Sequence, residues 1–163
     1  MEIAYLADHL VLAPLLAEWH YREWADLLPA WSREQAESEL RSHTGHRQIP
    51  TTFVAIESGQ PLGSASLIES DLVGWEHLSP WVASVFVAPA FRGRGVGRQL
   101  VCRAVEEAKA LGVPTVYLFT AGQTEYYQKL GWQPWLLTPH AGRSVTIMRR
   151  VMDGGCGREE RSP

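Results

Sequence analysis

Arg92-Gly93-Arg94-Gly95-Val96-Gly97 is the stretch from which the fold can be read. A strand-like run, Ala83-Ser84-Val85-Phe86-Val87, precedes it, and a helix-like run, Gln99 to Ala108, follows. Three glycines at alternate positions strip side chains from a loop that opens a helix. Bare amides point into such a turn, and the helix N-terminus adds partial positive charge. That combination holds a pyrophosphate. Arg92 and Arg94 add formal charge, and the candidate stretch runs on through Gly97 to Arg98. The spacing is neither the Gly-x-Gly-x-x-Gly of a dinucleotide fold nor a nucleotide-triphosphate loop, since no Lys-Ser or Lys-Thr follows. The alternative is a bare strand-to-helix turn, which rarely needs three glycines and two arginines together.

Working outward, Trp81 to Val87 reads as the strand entering the loop. Leu100, Val101, Ala104, Val105, Ala108 and Leu111 give the following helix a buried stripe that Gly112 ends. Thr115 to Thr120 is rich in β formers. Thr124 to Leu130 reads as a short helix, and Trp132 to Leu137 with Val145 to Arg150 as a closing hairpin. Upstream, Glu2 to Leu6 is a first strand. Leu12, Leu15, Leu16 and Trp19 fall at helical spacing, so a helix covers about Pro14 to Trp24. Ser32 and Gln35 form a capping-box pattern that opens a second helix to about Ser42. Thr51 to Glu57 and Leu62 to Ser70 flank a turn, Ser58-Gly59-Gln60-Pro61. This order predicts an α+β fold with a central mixed sheet. Residues 1–152 form one domain, and the glycine-rich, charged residues 153–163 read as a disordered tail.

The chain has 163 residues, 45% of them apolar, and a net charge of −3 without a long basic run. That argues against broad nucleic-acid binding. No apolar stretch suits a bilayer span, and no basic-then-apolar leader opens the sequence, so a cytoplasmic protein is expected. Two scattered cysteines, Cys102 and Cys156, fit free thiols in a reducing compartment. His43-x-x-His46 lacks further ligands at metal-binding spacing, so no metal is expected.

Arg92-x-x-Gly95-x-Gly97 resembles the acetyl-coenzyme A loop of the GNAT acetyltransferase superfamily, whose pattern is Gln/Arg-x-x-Gly-x-Gly/Ala. Tyr126-Tyr127-Gln128-Lys129-Leu130-Gly131-Trp132 resembles that family's Tyr-x-x-x-Gly-Phe/Trp segment. The resemblance implies a sheet splayed between its fourth and fifth strands, with acetyl-coenzyme A as cosubstrate and an amine as acceptor. It places the pantetheine arm against Val85, Phe86 and Val87, whose amides polarise the thioester carbonyl. The segment match makes Tyr127 the candidate general acid; the bland reading is that Tyr126 and Tyr127 both pack at the sheet edge. Two departures stand out. Trp81 occupies the place where histone-type members carry a glutamate, leaving Asp71, Glu76, Glu23 and His77 as weaker base candidates. Where many members carry an Asn after the fifth strand, this chain has Thr120-Ala121-Gly122-Gln123, so Thr120 or Gln123 would substitute.

Of seven tryptophans, Trp24, Trp31, Trp75 and Trp81 fall in segments that border the acceptor cleft of the resembled fold. They either wall a slot for a small-molecule amine or cover loops. The expected activity is N-acetyl transfer by direct attack on the thioester, by a monomer or homodimer. The alternatives are a coenzyme A-binding sensor without turnover and an acyltransferase using a longer donor.

Overall fold

A computed structural model describes residues 1–152, so the expected tail at 153–163 lies outside the described residues. Among the described residues, seven strands and four α-helices follow one another: β1 Glu2–Tyr5, α1 Ala13–Trp24, α2 Arg33–Ser42, β2 Thr51–Glu57, β3 Gln60–Ile68, β4 Trp81–Val87, α3 Val96–Ala110, β5 Thr115–Thr120, α4 Thr124–Lys129, β6 Gln133–His140 and β7 Arg143–Val151. One sheet holds all seven strands in the order β1-β2-β3-β4-β5-β7-β6. Every pairing is antiparallel except β4 with β5, which is parallel and bridged by the crossover helix α3. The expected α+β architecture with a mixed sheet is what the chain adopts.

Local chemistry sets the boundaries. Ser32 Oγ accepts from Gln35 N at 3.1 Å while Gln35 Oε1 accepts from Ser32 N at 2.8 Å, the reciprocal cap expected at the start of α2. The stripe that α1 buries differs from the expected one: Ala13, Leu16, Ala17 and His20 face inward, while Leu15 is 43% exposed. The small alanines let α1 approach the sheet closely, which turns the inward face by one position and carries a histidine with it.

Side chains alternate across each strand and so divide the core in two. On one face, α3 and α4, with Leu100 of α3 at the centre, cover Phe53, Leu62, Leu67, Val82, Val116 and Met148. On the other, α1 and α2 cover Leu16, Leu40, Val54 and Ile56, and a separate cluster forms around Leu72, Leu78, Trp81, Val145 and Ile147. Between these two apolar clusters lie Thr52, Ser64 and Ser66, all buried, on the face opposite Phe53, Ala65 and Leu67. Cys102, on α3, is disulfide-bonded rather than the expected free thiol.

Candidate active site

The site begins where the sheet comes apart. Trp81 and Tyr117 are the one register pair of β4 with β5. Beyond Trp81, the β5-facing edge of β4 has no strand partner among the described residues. On its other edge, β4 follows β3 through Ser66–Ala83 and Ser64–Phe86, with a bulge between them. The bulge holds Ser84 at φ 52°, a left-handed conformation uncommon for a residue with a side chain. Val85 and Val87 turn toward the α3 core, while Phe86 turns toward α1 and meets the rings of Trp19, His20 and Trp24.

The strand runs out through a single 3-10 turn, Pro89–Phe91, into the glycine loop. Gly93 and Gly95 take φ of 75° and 78°, and Gly95 is the N-cap of α3. No side chain caps that N-terminus. The first helical bond runs from Gln99 N to Gly95 O at 3.1 Å, so the amides of Val96 and Gly97 have no intrahelical acceptor. The helix thus starts with bare amides and no side-chain cap.

The two loop arginines are engaged. Arg92 Nε donates to the Val87 carbonyl at 2.9 Å, with its guanidinium 5.7 Å from the Phe86 ring centre. Arg94 pairs with Glu57 at 3.0 Å on the β2–β3 hairpin. Their charge stands beside the loop, already tied to the sheet.

Tyr127, on α4, is sunk against the α3 side of the core and touches Trp132 ring to ring. Burial, with a smaller contribution from Tyr126, pushes its phenol up to about 12. Tyr126 stands edge-on to it at 5.1 Å between centroids and remains 37% exposed. Thr120 Oγ1 accepts from the Gln123 amide at 3.0 Å, so this hydroxyl organises the turn from β5 into α4.

Across the sheet from α3 lies a polar array that the sequence did not advertise. His20 Nε2 and Ser64 Oγ are 2.9 Å apart, His43 Nδ1 and Thr52 Oγ1 3.0 Å, and Thr52 Oγ1 and Ser66 Oγ 2.7 Å. Burial, reinforced by the neighbouring His43, lowers His20 to about 4, and burial lowers His43 too. Both imidazoles are thus held toward the neutral form. The signal was present but faint: Ser64 and Ser66 alternate with apolar residues along β3, which places hydroxyls on a face that is elsewhere aliphatic.

The four tryptophans do not assemble into one wall. The Trp24 ring lies tilted against His20 at 5.0 Å and meets Phe86 edge-on. Trp31 donates its indole N–H to Glu39 at 3.0 Å, on the outer side of α1 and α2. Trp75 sits beside His77 and packs on the cluster that contains Trp81. Trp81 itself is fully buried, its indole N–H donating to the Leu78 carbonyl at 2.6 Å, so it is a core residue rather than a lining one. Of the base candidates, Glu76 accepts the Gly74 amide and is held below its ordinary pKa by that bond. Asp71 is different: burial, and to a lesser degree Glu39, raise it to about 7. His43 and His46 part company, His46 pairing with Asp8 at 2.9 Å. No group of three metal-ligating side chains exists among the described residues.

Residues 14–132 match the Acetyltransferase (GNAT) family, and the chain belongs to it. A 92-residue stretch is 35% identical to an uncharacterized N-acetyltransferase of Methanocaldococcus jannaschii, covering 50% of this chain and 38% of that protein. The chain thus matches well under half the length of that relative. Solved structures share the fold over most of the chain. The yncA protein of Salmonella typhimurium, determined with its cofactor acetyl-CoA, superposes with a TM-score of 0.70 at 20% identity over 98% of both chains. An aminoglycoside 6'-N-acetyltransferase complexed with coenzyme A gives 0.73 at 16% identity, over 94% of this chain and 98% of the other. A ribosomal-protein-alanine N-acetyltransferase of Brucella melitensis gives 0.72 at 20%, over 93% and 99%. Among the described residues no helix is long and apolar enough to cross a membrane.

Proposed function

We propose that this chain is an N-acetyltransferase that moves the acetyl group of acetyl-coenzyme A to an amine by direct attack on the thioester. The observation that carries the reading is the continuity of one surface. The unpartnered edge of β4 beyond Trp81 leads straight into the uncapped N-terminus of α3. An extended amide-bearing arm fits the first, and a pyrophosphate fits the second. Acetyl-CoA and CoA in the solved relatives support the same donor for this chain.

In this reading the amides of Val96 and Gly97 bind the pyrophosphate, and Arg92, Arg94 and Arg98 supply positive charge around it. Val85, Phe86 and Val87 offer backbone groups to the pantetheine and to the thioester carbonyl, whose oxygen gains negative charge as the amine attacks. The new N–C bond forms as the C–S bond breaks. Tyr127, kept protonated across the neutral range, donates to the departing thiolate. The amine's own proton leaves on the acceptor side. We assign that proton to Asp71, whose carboxyl burial raises to about 7, so that it alternates between its two forms at neutral pH.

The acceptor enters beside α1, where Trp24 and Phe86 border the His20–Ser64 pair. A small amine on a flat or aliphatic body suits that lining better than a highly charged peptide. The test is single-turnover loss of the acetyl group from acetyl-coenzyme A with a panel of amines. Binding of coenzyme A without transfer to any of them would favour a sensor, a reading the lack of a carboxylate at Trp81 keeps in play. Faster transfer from a longer acyl thioester would redefine the donor.

A further inference from the structure

Gly97 holds an ordinary helical position, with no positive φ to require glycine. What it supplies is space. A Cβ built there would lie 3.0 Å from the hydroxyl of Tyr126 and 3.5 Å from Val87 Cγ2. The missing side chain therefore admits the Tyr126 phenol onto the first turn of α3, at the end of β4.

That hydroxyl accepts and donates no protein hydrogen bond among the described residues. Its ring is braced edge-on against Tyr127 at 5.1 Å. The Arg98 guanidinium lies close enough to favour the ionised phenol, against the larger effect of burial. The Tyr126 hydroxyl thus stands over the first turn of α3, where the Val96 and Gly97 amides have no intrahelical acceptor, with the positive charge of Arg98 nearby. Hydroxyl and amides are donors suited to phosphate oxygens.

We infer that Tyr126 is a donor-binding residue: its hydroxyl hydrogen-bonds a pyrophosphate oxygen of coenzyme A over Gly97. Two neighbouring tyrosines then divide the work, Tyr126 holding the phosphates and Tyr127 serving the sulfur. The inference rests on the donor reading given under the proposed function. It adds a contact that the family's segment pattern does not specify, because that pattern fixes only the position of Tyr127.

Coenzyme A and pantetheine, which lacks the phosphates, separate the possibilities. Calorimetric titration of Tyr126→Phe with coenzyme A should show affinity lower by on the order of tenfold, the usual loss for a hydrogen bond to a charged group. Pantetheine, measured by competition, should bind the variant and the wild type alike. Gly97→Ala should weaken coenzyme A in the wild-type background, and by clearly less in the Tyr126→Phe background, where no hydroxyl meets the new methyl group. Unchanged coenzyme A affinity in a folded Tyr126→Phe protein would overturn the contact. An equal loss for pantetheine would also overturn it, by showing that the ring packs on the arm. A wild-type chain that binds no coenzyme A would bring down the donor reading itself.

Discussion

At Gly95 the backbone, at φ 78°, turns β4's exit into a helix whose first amides carry no side-chain cap. Nothing lies within 4 Å of where a Cβ would stand, so the position has room but little conformational tolerance. Gly95→Glu should abolish coenzyme A binding, because a carboxylate at a helix-start anion site repels phosphate; titration of the folded variant checks it. Tyr127→Phe should leave coenzyme A binding in place and lower kcat on the order of 100-fold if proton donation to the thiolate limits the rate. A kcat within about twofold of wild type would make Tyr127 a packing residue. Trp81→Ala acts differently from either. It empties a fully buried indole site in the cluster that joins β4 to β5 and β7, and should lower stability by about 3–5 kcal/mol in denaturant unfolding.

Among elements, those with strong local signals were legible in the sequence. The capping box of α2, the strands Thr51–Glu57, Trp81–Val87 and Thr115–Thr120, and the glycine loop all carry their own chemistry. The buried polar strip was not legible, and the reason is physical. It is assembled from α1, the end of α2, β2 and β3, and no segment holds more than two of its members. Trp81 misled for a related reason: an indole reads as a lining residue only if its N–H needs a distant partner, and Leu78 supplies one from the same turn. The segment match singled out Tyr127, but the approach of the Tyr126 hydroxyl to Gly97 could not be read, since it depends on where α4 lies against α3. At this scale, Ser64→Ala should leave the His20 Nε2 without its bonded partner and destabilise the protein by about 1–3 kcal/mol, with coenzyme A affinity unchanged.

For the whole molecule, two ionisable groups, His20 fully and Asp71 partly buried, tilt stability in opposite directions. His20 has a folded pKa of about 4, below its ordinary 6.5, so the folded state resists protonation; stability is whole above 6.5 and falls as pH drops toward 4. Asp71 is raised from 3.8 to about 7, so its folded form resists ionisation; its contribution is present below 3.8 and is lost as pH rises through 7. Between about 4 and 6.5 the two slopes oppose one another. Asp71→Asn removes one of them. Its melting temperature should climb with pH across that window more steeply than wild type, and should exceed wild type above pH 7. A variant whose profile runs parallel to wild type would show that Asp71 ionises freely. If Asp71 also takes the acceptor's proton, the same variant should lose the acid limb of kcat/KM near pH 7.

The gap between β4 and β5 has a thermodynamic corollary. Two blocks of antiparallel ladder, β1 to β4 and β5 to β7, meet at one residue pair, so the sheet is incomplete as a polypeptide alone. A pantetheine arm lying in the gap would act as a strand made of something other than protein. The ligand would then be part of the architecture, and folding and binding would be linked. Coenzyme A at a hundred times its Kd should raise unfolding free energy by about 3 kcal/mol. Hydrogen exchange should slow at the amides of Val85 to Val87 and at the start of α3, leaving those of β1 and β2 as they were.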